Sequence, residues 1–228
     1  MEPRPSTLRL VAVPAVVTLA VTILRLTGER RGWNPTFFST EPGGAGALVG
    51  ISWLVPVFGA WFGHRLASAG AGPKRPGLAA LSYLGLFAAA PGLFFVIRGL
   101  GIEFPAFGVI FSVGFFLIAL VGLKVWRSLC VANLVYGLCA RIPVVIITYV
   151  AVYATWGTHY EKLGPDDLQL PPFEKAFHLS MAQIGFWVAF TIMAGGFFGS
   201  LAALVGAIAR NRRGASTGAA RPRLETGR

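Results

Sequence analysis

Charge is scarce in this chain of 228 residues: only 13% is Asp, Glu, Lys or Arg. Soluble domains usually carry roughly a quarter. Cysteine is scarcer still. Cys130 and Cys139 fall in one apolar run, too far apart on a single helix to bridge each other. No CxxC or other zinc spacing occurs, which excludes a disulfide framework and a structural zinc site. The three histidines, His64, His159 and His178, all sit at the ends of apolar runs, a placement that disfavours haem held between spans. Walker, GxSxG, HExxH and dinucleotide fingerprints are absent, so no catalytic residue and no cofactor are expected. The glycine-rich stretch 41–50 opens an apolar run and reads as close packing, not phosphate binding. No carboxylate falls inside any apolar run, which argues against a proton or sodium relay built on buried Asp or Glu.

What is present in quantity is hydrophobic sequence, 55% of the chain, gathered into long runs. A membrane-crossing helix needs about 20 apolar residues. Six runs qualify: Leu8–Leu26, Ala45–Gly63, Gly77–Ile97, Phe104–Leu123, Ser128–Thr155 and Met181–Ala209. They lack the period-two alternation of barrel strands. The expected fold is all-α, a multi-pass bundle of six transmembrane helices in one domain over residues 1–209. Residues 210–228 form a basic, Gly/Ala/Arg-rich tail that reads as disordered and cytoplasmic. The first run has a basic start and an apolar core, as a signal peptide would. Arg25 and the TGERRGW that follows offer no small-residue cleavage site, so it reads as a span.

Positive residues remain on the cytoplasmic side of a membrane. With both termini inside, the inner segments hold Arg4, Arg9, Arg65, Lys74, Arg75, Lys124, Arg127, Arg210, Arg212, Arg213, Arg221, Arg223 and Arg228, most of the 20 basic residues. The outer segments hold most acidic residues, including Glu161, Asp166, Asp167 and Glu174. Trp33, Trp156 and Trp187 then mark outer span ends, and Trp61 and Trp126 inner ones. The expected location is a cell membrane of bacterial inner-membrane type. The net charge of +11 is spread over loops and tail, so the expected partner is the lipid bilayer and not nucleic acid.

One charge breaks the pattern. Arg141 lies in the middle of the run from Ser128 to Tyr153, which holds no other ionisable acid or base of that kind. A charge near a membrane midplane costs at least about 2.5 kcal/mol and marks a functional site by default. On a helical wheel Cys130, Asn133, Gly137, Arg141, Thr148, Thr155 and, beyond the span, His159 fall within about 80° of one another. Such a stripe must face other helices or a wet cavity. Asn133, Arg141, Thr148, Thr155 and His159 are therefore the candidate ligand or pathway residues. A guanidinium there suits a carboxylate or phosphate, which it can hold through paired hydrogen bonds. The alternative is interhelical glue.

Pro14, Pro56, Pro91 and Pro143 interrupt four of the runs, with Pro91-Gly92 the expected sharpest break. Thr191, Gly195, Gly199, Ala203 and Ala207 recur every fourth residue of the last run. They form a small-residue ridge for helix packing, within the monomer or in a homo-oligomer. Outside the spans, His159, Glu161, Glu174 and His178 are weak metal candidates, because no paired-His motif supports them. Phe173 and Phe177 share one face of a short helix expected to lie along the membrane surface. Arg25, Glu29, Arg30 and Arg31 read as headgroup contacts.

Three functions are compatible with this pattern. The first is a small translocation or ligand-binding protein for an anionic or polar solute or lipid, centred on Arg141. The second is a non-catalytic subunit of a larger membrane complex. The third is a membrane-embedded enzyme with an outer His/Glu site.

Overall fold

The computed structural model describes residues 6–44, 47–164 and 169–219, with side chains through Arg212. Among them there is no strand, and the chain runs through nine α-helical segments. These are α1 (Thr7–Arg30), α2 (Pro35–Phe38), α3 (Leu54–Ser68), α4 (Pro76–Gly99), α5 (Ala106–Leu120), α6 (Gly122–Val125), α7 (Arg127–Ala154), α8 (Pro172–Met181) and α9 (Val188–Ala219). A π-helical segment, Ala182–Trp187, joins α8 to α9. The architecture is compatible with a helical membrane protein: among the described residues five helical runs are long and apolar enough to cross a bilayer, namely Thr7–Arg30, Pro76–Gly99, Ala106–Val125, Arg127–Ala154 and Pro172–Arg212.

Burial is inverted relative to a soluble protein. Leu81, Leu117 and Ile146 are at least 60% exposed, while Thr18, Thr22, Asn133, Thr148, Thr191 and Ser200 are almost fully buried. Most of these buried hydroxyls donate to a carbonyl four residues back. Thr18 bonds Pro14 O at 2.8 Å, Thr22 bonds Thr18 O at 2.9 Å and Ser200 bonds Gly196 O at 2.8 Å. A hydroxyl satisfied within its own helix carries little desolvation cost. Tyr136 and Thr18 hydroxyls, 2.8 Å apart, tie α7 to α1.

The last helix is the hub, packing most extensively against α3 and next against α4 and α7. Glycine sets the first of these contacts. Gly59 and Gly63 on α3 face Gly195 and Gly199 on α9 so closely that an added Cβ on Gly59 or Gly63 would overlap the opposing backbone. The ridge at Gly195 and Gly199 thus packs inside this chain, and buried Ala203 joins the same apolar core. Ala207, farther along, is only half-buried.

Several element boundaries differ from the sequence expectation, each for a physical reason. The second run was expected as a helix over Ala45–Gly63. The helix instead spans Leu54–Ser68, 15 residues or about 22 Å at ~1.5 Å per residue. Hydropathy counts residues 47–53 as span, although the chain there makes bends and turns and not a helix. Ala45 and Gly46 lie outside the described residues. Pro56 consequently falls in the first turn of α3, where a proline costs no helical hydrogen bond. Pro14, Pro91 and Pro143 lie within continuous helices. The expected break at Pro91-Gly92 is absent, because an apolar surround penalises a broken helix more than one lost bond. The last run begins at Pro172, not Met181, and continues through the π segment. Helix α9 runs to Ala219, into the stretch expected as a tail, and residues 220–228 lie outside the described residues.

Contacts at the helix ends give the course of the chain. Trp126, just before α7, donates Nε1–H to Ala71 O at 2.8 Å, just after α3. At the other end of α7, His159 meets Glu29 in the last turn of α1. Ile51 and Ser52, just before α3, share a cavity with His159 and Tyr160. Helix α3 therefore starts near the end of α7 and finishes near its beginning.

Candidate ligand site

A cavity of about 140 Å³ lies between α1, α7, the π segment and the loops at one end of the bundle. Its polar wall comprises Thr22, Arg25, Ser52, Arg141, His159, Tyr160, Lys162 and Gln183. One water needs only roughly 10–15 Å³ by this kind of measure, so several waters or one small polar group fit.

Arg141 is buried at 5% exposure, and its surroundings leave it largely unsatisfied. Nη1 donates to Gln183 Oε1 at 3.0 Å. The guanidinium carbon stands 4.6 Å from the centre of the Trp187 ring, within cation–π range. Among the described residues no carboxylate lies within 4.0 Å, and Nε is buried without a hydrogen-bond partner. A guanidinium has five N–H donors, and one hydrogen bond occupies one of them. The π segment explains how both partners reach it. Such an insertion changes helical register locally and recurs at functional sites. Here Gln183 and Trp187 lie near its two ends and both meet Arg141.

Arg25, by contrast, makes three hydrogen bonds, one of them to a carboxylate. Its Nε donates to Glu29 Oε1 at 2.8 Å, and its Nη2 donates to the Ser39 and Gly44 carbonyls at 3.2 Å each. Glu29, whose side chain is fully buried, also accepts the His159 backbone N–H at 3.0 Å and lies 2.6 Å from His159 Nδ1. With the carboxylate on that side, Nδ1 carries the proton of a neutral imidazole. Burial holds the His159 pKa below the ordinary histidine value, with the Glu29 hydrogen bond opposing and nearby Arg25 adding to the depression. Burial likewise raises the Tyr160 phenol above its usual range. Lys162 Nζ donates to Thr40 Oγ1 at 3.3 Å. Among the described residues the cavity wall thus carries three cations, Arg25, Arg141 and Lys162, and no carboxylate.

The loop from Thr155 to Glu161 delivers His159 to Glu29. Thr155 closes α7 in the left-handed region at φ 48°, and Gly157 follows at φ 74°, a conformation that favours glycine. Glu161 accepts the Trp156 N–H at 2.9 Å and the Gly157 N–H, which locks the turn. The Trp156–Tyr160 cluster is therefore a positioning device for His159.

Of the candidate ligand and metal residues read from sequence, Arg141 and His159 line this cavity. The others do not. Asn133 is buried farther along α7, where Nδ2 donates to Leu129 O at 3.1 Å and Oδ1 has no partner among the described residues. Thr148 is buried outside the cavity wall, and Thr155 is exposed at the helix end. Glu161 is committed to its turn, Glu174 is exposed, and His178 is half-buried. Among the described residues no three His, Cys, Asp or Glu gather as a metal set. Asp166 and Asp167 lie outside the described residues.

Sequence reasoning missed Arg25, Glu29, Lys162, Gln183 and Trp187. Arg25 and Glu29, expected at headgroups, are buried. Their spacing of four residues on one helix face was the available signal. Trp187, expected at an interface, lies against Arg141. Arg30 and Arg31 are exposed, with Arg30 over the Trp156 ring at 4.8 Å. Comparison with protein-family models, with curated proteins and with solved structures gives no match.

Proposed function

We propose that this chain is a multi-pass cell-membrane protein that binds a small anionic group in the cavity around Arg141. The observation that carries the reading is the state of Arg141: a buried guanidinium lining a cavity, with one hydrogen bond and no carboxylate beside it among the described residues. A buried charge without a partner is costly, and an oxyanion offering paired acceptors removes that cost. The size of the cavity favours a carboxylate, sulfate or phosphate group over a bulky solute.

We further infer six crossings, with both termini cytoplasmic. The short α3 makes the sixth crossing, supported by its contacts near opposite ends of α7 and by the distribution of Lys and Arg. The cavity then opens towards the outer face of a bacterial inner membrane, and translocation of the anion is the activity it serves. A purely structural subunit has less support, because Gly195 and Gly199 are used within the chain. An enzyme built on the outer His/Glu site has less support as well: Glu161, Glu174 and His178 do not line the cavity, and Glu29, the carboxylate that His159 meets, is buried and shared with Arg25.

The test is calorimetric titration of the protein in phosphatidylcholine nanodiscs with sodium acetate and sodium sulfate. Arg141→Gln should weaken binding about tenfold or more, since charge-assisted hydrogen bonds contribute roughly 1.5–3 kcal/mol. Its melting temperature should be unchanged or higher. Equal binding by both proteins, or by neither, overturns the reading.

A further inference from the structure

A second cavity, of about 450 Å³, adjoins the first. The two share Gly43, Lys162, Leu179 and Ala182 as walls. Their chemistry differs. The first is cationic. The second is mostly apolar, built from Phe104, Pro105, Phe111, Leu163 and Phe186, with Ser112, His178 and the shared Lys162 as its polar members. It sits where the start of α5 meets α8 and the π segment, and Phe104 at its edge is 38% exposed. A polar solute gains nothing from an aromatic chamber beside its binding site, whereas a hydrocarbon chain does.

The geometry points to a single-chain anionic amphiphile as the ligand. Its oxyanion head sits at Arg141 and its chain passes the Lys162, Leu179 and Ala182 wall into the aromatic chamber. This assignment rests on the anion-site reading above and narrows it. Lys162 suits the junction, because its methylene stem can follow the chain while its ammonium faces the head. One chain is assigned because this chamber shares Gly43, Lys162, Leu179 and Ala182 with the cationic cavity, whereas the apolar pocket lined by Phe87 and Phe190 shares Ser52 alone.

The test is a titration series in phosphatidylcholine nanodiscs with acetate, butanoate, hexanoate and octanoate. From butanoate to octanoate each methylene should strengthen binding about twofold to fourfold, or at least about tenfold over the series. Gly108→Phe should fill the aromatic chamber from a position that does not line the Arg141 cavity. It should leave acetate binding in place and flatten the dependence on chain length; Leu163→Trp, also confined to the aromatic chamber, serves if that variant does not fold. Equal binding of acetate and octanoate, with Arg141→Gln abolishing both, would overturn the amphiphile and leave the anion site standing. A slope that survives both plugging variants would also overturn it. Displacement of octanoate by phosphatidylglycerol in the disc would replace the single-chain ligand with a bilayer lipid. Failure of every acid to bind removes the anion reading and this inference together.

Discussion

The two halves of α7 face opposite kinds of surroundings. Along its first half the neighbours are apolar and tightly packed. Leu129 and Tyr136 are fully buried beside Phe62 and Tyr83, and the adjoining α3–α9 contact is backbone against backbone at glycines. Along its second half the neighbours leave space, and Arg141, His159 and Lys162 line it. Both halves are apolar in sequence. The difference teaches that small residues bring helices together where the chain needs cohesion, whereas a π segment and looped connections hold them apart where it needs a site. Asn133 belongs to the first half: its side chain fills the space against Gly195.

That contrast can be broken from the packed side first. Gly63→Leu places a branched side chain where the Gly199 backbone already sits, and α3 and α9 must separate. The expected cost is about 4 kcal/mol or more, at the severe end for one substitution. Thermal unfolding should show a large fall in melting temperature or loss of folded protein. Retention of the native melting temperature would show that the glycine contact does not hold the bundle together.

On the open side the largest effect should come from the network beside the cavity. Glu29→Gln removes the carboxylate that Arg25 and His159 share. Breaking a buried pair by removing one partner costs roughly 3–5 kcal/mol, and partial exposure of Arg25 and His159 places this case at or below the lower end. Arg141→Gln should instead leave stability intact while weakening anion binding. If both variants destabilise equally, the division between a structural pair and a binding guanidinium fails.

The smallest effect is a dependence on pH. His159 in the folded protein takes up its proton at lower pH than an ordinary histidine, whose value is 6.5. The unfolded chain therefore binds that proton first as pH falls. Stability from the neutral imidazole is present above the ordinary value and is lost as pH drops from there through the depressed one. Melting temperatures in nanodiscs should be level above about pH 7 and decline below about 6.5. His159→Gln should remove that part of the slope. An unchanged slope in the variant would assign the dependence to another group.

How much of this was legible depended on distance along the chain. Arg141 stood out because one charge in an apolar run is visible without any partner. Its surroundings were not visible, since Gln183 is 42 positions away and reaches it through a π segment that no periodicity announces. Arg25 and Glu29 carried the right spacing, yet a pair near a helix end resembles a headgroup contact until loops cover it. Ser39 and Gly44 supply that cover, and both lie beyond the helix. The start of α3 was misplaced because hydropathy registers apolar letters and not backbone turns.

The sequence by itself determined that the chain is helical, with runs long and apolar enough to cross a membrane, because such runs must satisfy their backbone groups internally. It also determined that Arg141 would be the costly residue, since no carboxylate accompanies it within its run. Only the tertiary structure decided what that cost serves. Whether a buried guanidinium is glue or a binding group depends on which side chains and how much space surround it. Those are set by contacts between distant segments: glycines that close one part of the bundle, and a π segment and a locked turn that shape the cavity in another.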